Sequence, residues 1–330
     1  MMDSLQLLTA NLLSPPVIAF FAGILARVTR SDVKFPAQLY DALTIYLLLA
    51  IGFKGGTSLA QTPAAEMVLP ILAVAIAGTS IPLLAYFVSR KMMGFKVEDS
   101  AALAAHYGSV SAVTFIACLA FLDFREVVYE NYLPALMALM EIPAIMVGLL
   151  LARLFTKDNA EQGSGSLKVA IQEVLSGKSI FLLITGLVAG AFAGPEGFTR
   201  AKPFLIDPFY GVLILFLLEM GLTAGKQLAA IRESGVKLIL FGVCMPLIQA
   251  LIGLALARMA GLSVGGTTAF MVLSASASYI AAPAAVRIAI PQANPGQYLT
   301  ASLGITFPFN LVAGIPIYFL IASWAESALG

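Results

Sequence analysis

The sequence contains two copies of one pattern, and this duplication limits the folds that are open to it. Three pairs of segments match: residues 48–60 with 217–229, 94–111 with 261–278, and 131–143 with 297–308. The offsets lie between 165 and 169 residues, so the duplication covers nearly the whole chain. The protein is therefore expected to consist of two structurally similar halves.

The composition indicates that the solvent for these halves is a lipid bilayer. Apolar residues make up 60% of the chain, charged residues only 11%, and the mean hydropathy is +0.94. A soluble domain carries about 25% charged residues. Because a lone strand leaves backbone groups unpaired in lipid, the spans must be helical.

Ten apolar stretches predict an all-α membrane protein. The expected spans are residues 12–30, 37–54, 66–91, 100–121, 131–155, 174–193, 206–225, 236–259, 266–288 and 297–321. The first is interpreted as a retained span and not as a cleaved leader, since no basic region precedes it. The organisation is predicted to be a first five-helix repeat (1–156), a polar linker (157–170) and a second repeat (171–330). Five is an odd number, so the second copy inserts upside down, as in many secondary transporters.

The distribution of basic residues predicts the orientation. Alternating ends of the ten spans carry 14 and 5 of the 19 Lys and Arg residues. Because basic loops stay in the cytoplasm, this bias places the linker inside and both termini outside. The net charge of +1 and the lack of a basic block make nucleic acid an unsuitable partner.

The fourth and ninth spans carry the features of a binding site. Both place small and hydroxyl residues near mid-span, and Pro283 removes a backbone donor from the ninth. Two such spans at matched positions predict broken helices that meet near the midplane, where helix N-termini suit a small anion and hydroxyls suit sodium. Ordinary helix packing is the alternative interpretation. The substrate-binding candidates are Gly108, Ser109, Val110, Ser111, Thr114, Ser276, Ala277 and Ser278.

Ionisable residues inside spans are candidates for function. Glu141 lies in mid-span, and a cation-binding role is favoured over a helix-interface pair. For Glu219 and His106 a structural role is favoured, although His106 could carry a proton. The coupling cation is expected to contact Glu141, Ser274, Tyr279, Thr306 and Asn310.

No motif for a bound cofactor or for hydrolysis occurs in the sequence. It contains no GxxxxGK[ST], HExxH or GxSxG pattern, and no Cys/His cluster. Cys118 and Cys244 lie at unrelated positions and predict neither a disulfide nor a transition-metal site. A membrane enzyme or receptor is therefore disfavoured, and no cofactor is expected beyond Na⁺ as the coupling ion.

The chain resembles the sodium-dependent bicarbonate transporter family of cyanobacteria and other bacteria. The segments that carry the resemblance are residues 51–56, 108–114, 133–145 and 276–298, of which the last, with its PxANPxxY-like loop, is the most specific. The resemblance implies sodium-coupled bicarbonate import across the bacterial inner membrane. It also implies a homotrimer with an elevator mechanism, in which a mobile core slides against a gate made of spans 1, 2, 6 and 7.

Residue by residue, the resemblance carries over the hydroxyls of both broken spans, and Glu141 stands where the cyanobacterial members have an aspartate. One departure matters: those members have a Ser-Asp pair where this chain has Ser278-Tyr279. The missing acid leaves open a proton- or sodium-coupled carrier of a small organic acid. In cyanobacterial relatives a longer linker accompanies a PII-like trimeric regulator, so the short linker here weakens the expectation of that partner.

Overall fold

The computed structural model describes residues 4–155, 172 and 176–329 of the chain. The predicted linker, residues 157–170, lies outside the described residues. Within the described ranges the protein is entirely helical and contains no strand. The prediction of an all-α membrane protein is confirmed at this level.

The helices of the first half begin at prolines or at residues that follow loops. Pro15 opens α2, and Pro36 and Pro63 directly precede α3 and α4, positions where the missing N–H costs no helical hydrogen bond. The elements are α1 (Ser4–Leu12), α2 (Pro15–Val28), α3 (Ala37–Leu59), α4 (Ala64–Phe87, extended by a π-helical turn, Val88–Met92), α5 (Val97–Gly108), α6 (Ala112–Phe124) and α7 (Leu133–Phe155).

The second half ends in one long helix that contains two π-helical segments. A proline follows each segment within two residues, Pro308 after the first and Pro316 after the second, and its missing N–H shifts the hydrogen-bond pattern. The elements are α8 (Lys178–Leu205), α9 (Phe209–Lys226), α10 (Leu228–Glu233), α11 (Gly235–Met259), α12 (Val264–Ala275), α13 (Ala281–Ala289), and α14 (Pro295–Leu299), α15 (Phe307–Phe309) and α16 (Ile315–Leu329) joined by Thr300–Thr306 and Asn310–Gly314.

The described residues contain 8 helices that are long and apolar enough to cross a membrane, or 9 if α1 and α2, bent by 57°, count as one span. The predicted ninth span corresponds to α12 and α13, which are too short to be counted individually. The predicted fourth span is α5 with α6, and 89% of its most apolar stretch is buried inside the protein. This broken span is thus the centre of the fold.

Helix α8 differs from the prediction, which ended the sixth span at residue 193. The helix reverses at Gly194, whose φ of 63° favours glycine. Beyond the reversal Phe198 stacks on Phe53, and the Tyr46 hydroxyl donates to the Phe204 and Leu205 carbonyls. The segment 195–205 therefore runs back along α3, where a loop was expected.

The long helices form two packing groups. In the four-helix group, α2 packs on α9 and α3 packs on α8. Glycines allow these backbones to touch: a Cβ at Gly221 would lie 1.9 Å from the Phe20 carbonyl oxygen, and one at Gly56 would lie 2.0 Å from the Leu187 carbonyl oxygen. In the crossing group, α4, α5 and α7 pack together, as do α11, α12 and the last helix.

Candidate functional site

The first broken span changes direction at residues 109–111. Helix α5 ends at Gly108 because Ser109 is extended, with φ −86° and ψ 154°. Ser111 then caps α6: its Oγ accepts hydrogen bonds from the Thr114 amide at 3.2 Å and from the Thr114 hydroxyl at 2.9 Å. Serine is a preferred N-cap because its oxygen satisfies a free amide of the first turn. The chain thus starts a new helix inside the protein.

The second broken span has the same local construction. Helix α12 ends at Ala275, and Ser276 is extended with φ −89° and ψ 164°. The Ser278 Oγ accepts a hydrogen bond from the Ala282 amide at 3.2 Å, at the start of α13. Pro283 lies in the first turn of α13, where its missing N–H costs nothing.

The two breaks lie against each other. The Ser111 amide donates to the Ser276 Oγ at 2.9 Å, and the Ser278 amide donates to the His106 carbonyl at 2.8 Å. Each break therefore satisfies backbone groups that the other leaves free, in a region where water cannot do so. The structure brings together the two Ser-rich segments that the sequence analysis expected to meet.

A small cavity lies where the breaks cross. Its volume is about 10 Å³, which is close to the space that one water molecule or ion requires. The Glu141 side chain reaches it from α7, is only 3% exposed, and its Oε2 makes no hydrogen bond with any described group. The lining consists of Val110, Ser111, Ala112, Glu141, Ser278, Tyr279, Ile280 and Ala281.

The groups that this cavity offers to a ligand are side-chain oxygen atoms and backbone amides. The N-terminal residues of α6 and α13 line it, and none of the described lining residues is basic. Helix N-termini carry about half a positive charge each and attract anions. The carboxylate and hydroxyl oxygens are suited to a hard cation such as sodium.

Tyr279 lies at the cavity in the position that the resemblance gives to an acid. Its ring packs edge-on against Phe307, with centroids 5.5 Å apart. Its hydroxyl is buried beside Ser111 without a hydrogen bond of good geometry. Among the described residues that line the cavity, Glu141 is therefore the only carboxylate.

Three of the predicted cation-binding residues have other contacts. The Thr306 hydroxyl donates to the Gly242 carbonyl at 2.7 Å and pairs with the Tyr107 hydroxyl at 2.6 Å. Asn310 donates to the Ala275 carbonyl at 2.8 Å and so caps the end of α12. The Ser274 Oγ lies against Gly253 of α11. None of these three side chains lines the cavity.

The remaining candidates support the break and do not line the cavity. A Cβ at Gly108 would lie 2.7 Å from Pro82, so this glycine permits the close approach of α4. The Ser109 Oγ is buried without a partner among the described groups, and Ala277 is buried. His106 is fully buried, its Nδ1 lies 2.7 Å from the Ala102 carbonyl oxygen and its ring packs on Tyr298. These contacts match the structural role favoured for His106.

Two further polar groups were missed by the sequence analysis. Gln249, fully buried, donates to the Tyr107 carbonyl at 3.2 Å, near the end of α5. The sequence feature that could have revealed Gln249 is an amide side chain in the middle of an apolar helix. The second is an ion pair between Lys54 of α3 and Asp123 of α6, at 3.2 Å. No sequence pattern pairs these two residues, because they are 69 positions apart in the chain.

The ion pair is completed by Tyr129, in the loop after α6. The Tyr129 hydroxyl donates to Asp123 at 2.8 Å and accepts from Lys54 at 2.8 Å. Burial, with the nearby Asp123 charge adding to it, raises the pKa of Tyr129, so the hydroxyl stays protonated and keeps its donor role. The three side chains join α3 of the four-helix group to α6 and the loop that follows it.

Comparison with known proteins assigns a family to this geometry. A family model described as the Na⁺-dependent bicarbonate transporter superfamily matches residues 15–323 of the 330. None of the curated proteins matches the chain. The matched range includes both breaks, Glu141 and the helices of the two packing groups, except the last residues of α16.

Proposed function

Because the chain belongs to the Na⁺-dependent bicarbonate transporter superfamily, we propose that it imports bicarbonate together with sodium. The observation that carries this proposal is the crossing of two broken helices beside Glu141. It supplies two helix N-termini for an anion and one carboxylate for a cation in a single place. Membership of a transporter superfamily also agrees with the expectation that the chain is not an enzyme.

The anion is held by backbone groups in this proposal. The first turns of α6 and α13 present amides and a partial positive charge. The hydroxyls of Ser111 and Ser278 lie beside them, and because both accept hydrogen bonds in this structure, their protons can be donated to bicarbonate oxygens. Bicarbonate is larger than one water molecule, so the breaks must separate to admit it.

Sodium binds on the Glu141 side of the same cavity. The carboxylate and the nearby Ser111 and Ser278 hydroxyls are the oxygen ligands that this ion takes. A buried carboxylate without a hydrogen-bond partner is unstable as an anion unless a cation is bound. Sodium binding therefore neutralises Glu141, and its positive charge in turn favours bicarbonate.

Ten spans in two inverted repeats account for the contacts in the fold. When α12 and α13 are counted as one crossing span, equivalent helices of the two repeats make equivalent contacts. The contact of α2 with α9 corresponds to that of α8 with α3, and the contact of α4 with α5 corresponds to that of α11 with α12. Loop contacts follow the same symmetry. Glu130 accepts from the Ser263 amide at 2.7 Å, before α12, and Asp99 of α5 accepts from the Asn294 amide at 2.8 Å.

An elevator movement is the mechanism we propose for alternating access. The crossing group would carry the site past the four-helix group, which the glycine contacts make rigid. The protein is further proposed to form a homotrimer through the four-helix group, to lie in the bacterial inner membrane and to have both termini outside. Same-side contacts support the topology: Lys178 pairs with Asp41 and Arg258 pairs with Glu326, and each pair joins span ends that are predicted to lie on one side of the membrane.

The test is uptake of labelled bicarbonate into proteoliposomes, driven by an inward sodium gradient or by an equal potassium gradient. Uptake with sodium alone is the expected result. Folded protein that imports no bicarbonate in either gradient would refute the proposal. Small carboxylates at different pH values would then be screened, since the absent acid at Tyr279 left that alternative open.

A further inference from the structure

A second cavity, with a different charge, lies in the four-helix group. It has a volume of about 270 Å³ and is formed by the end of α2, the loop from α2 to α3, and the last turns of α9. Four cationic side chains and one carboxylate line it. The lining is Arg27, Arg30, Ser31, Val33, Lys34, Phe35, Glu219, Leu222 and Lys226.

The cationic side chains around this cavity carry more positive charge than its one carboxylate neutralises. Arg27, Arg30 and Lys34 form no ion pair with any residue that the structure describes. Glu219 interacts with Lys226, and its Oε1 accepts from the Thr223 hydroxyl at 3.1 Å. The single carboxylate therefore leaves most of the positive charge unneutralised.

The positions of two arginines are fixed by the backbone. Arg27 packs its stem on α9 at Gly225, where a Cβ would lie 2.8 Å from it. Arg30 has φ of 56°, the left-handed conformation in which glycine is usual after a helix. The Ser31 amide, which donates to the Ala26 carbonyl at 2.9 Å, closes this turn. The chain thus keeps an arginine at a position that disfavours side chains.

Cations at helix ends are by themselves expected, since the C-terminal dipole attracts them. Arg30 and Lys34 lie beyond the end of α2, however, and the loop brings them back beside α9. Their convergence on one cavity gives a density of positive charge that matches a phosphate group, which Arg binds through two parallel hydrogen bonds.

We propose that this basic cavity binds a phosphate-bearing anion, supplied by the headgroup of an anionic phospholipid. The lipid source is favoured by the surface beside the cavity. Leu25 and Val28, on the same end of α2, are 61% and 59% exposed and offer an apolar surface for acyl chains. Basic pockets at this level between membrane helices bind anionic headgroups. The proposal does not depend on the transported substrate.

Native mass spectrometry of the purified protein with equimolar phosphatidylglycerol and phosphatidylcholine tests this inference. The double variant Arg30→Gln/Lys34→Gln should lose about 25-fold of the preference for phosphatidylglycerol, since each cation contributes about fivefold near a lipid surface. The matched control Lys91→Gln/Arg232→Gln removes two exposed cations outside the cavity and should keep the preference. Equal preference in the two double variants would overturn the proposal.

Two further measurements separate the source of the phosphate from a structural role. Glycerol phosphate is titrated against protein in phosphatidylcholine nanodiscs: binding that depends on Arg30 and Lys34 would assign the cavity to a soluble phosphate, and no binding would assign it to the lipid. Arg30→Gly relieves the left-handed backbone. It should lower phosphatidylglycerol binding without lowering the thermal unfolding midpoint, and normal binding in this variant would contradict the role of Arg30.

Discussion

Two serines at equivalent positions of the repeats should respond differently to the same substitution. The Ser276 Oγ accepts from the buried Ser111 amide at 2.9 Å and donates to the Leu273 carbonyl at 3.1 Å. Ser276→Ala leaves that amide without a partner, which costs about 1–3 kcal/mol. The Ser109 Oγ has no partner in the described structure, so Ser109→Ala removes no hydrogen bond. We expect Ser276→Ala to be folded but clearly less stable than Ser109→Ala.

The assay combines thermal unfolding of both variants in one detergent with bicarbonate uptake at several concentrations. Ser276→Ala should lower the unfolding midpoint by roughly 2 °C or more, taking about 2–4 °C per kcal/mol from soluble domains. Both variants should raise the bicarbonate concentration needed for half-maximal uptake: neither hydroxyl lines the closed cavity, but both lie at the breaks, which must separate to admit the anion. Equal stability of the two variants would refute the hydrogen-bond argument. Unchanged uptake in both would remove these serines from the site.

Two further substitutions test the cation site and the packing of the four-helix group. Glu141→Gln should abolish or strongly weaken the sodium dependence of uptake, whereas Glu233→Gln, an exposed change on α10, should leave it intact; an unchanged sodium response in Glu141→Gln would exclude the coupling role. Gly221→Ala places a methyl group 1.9 Å from the Phe20 carbonyl oxygen and should destabilise the protein by about 1–3 kcal/mol. Gly211→Ala on the same helix meets no atom within 4 Å, and helix propensity favours Ala over Gly, so its unfolding midpoint should stay at or above that of the wild type; a similar loss in both variants would refute the packing argument.

The break positions could be predicted because their cause is local. Serine caps, small residues and Pro283 act through their own backbone within one turn, so the sequence shows where a helix stops. Because the breaks occupy matching positions in the two repeats, the sequence also predicted that they meet in the folded protein. The presence of Glu141 at the cavity also followed, since an acid in mid-span must face the protein interior.

The structure departs from the expected site in which way three side chains face, and their cation-binding role stays a prediction. Ser274, Thr306 and Asn310 lie in apolar stretches, where hydrophobic periodicity cannot tell one buried face from another. The π-helical segment Thr300–Thr306 adds to this, because it rotates all later side chains relative to a regular helix. The return of residues 195–205 along α3 was missed for another reason: the reversal depends on one glycine dihedral and on distant partners in α3.

The replacement of the family acid by Tyr279 has a simple consequence for charge balance in the proposed site. The N-termini of α6 and α13 favour an anion, but the C-terminal ends of α5 and α12 lie at the same crossing and carry the opposite partial charge, so the helix ends together add little net charge. Glu141 supplies one negative charge, which offsets one sodium ion. A second carboxylate at position 279 would leave a negative charge that only a further cation could neutralise, whereas the protonated Tyr279 hydroxyl adds none. With Glu141 as the single acid, one sodium ion neutralises the carboxylate, so this chain should need one cation fewer than a site with two acids.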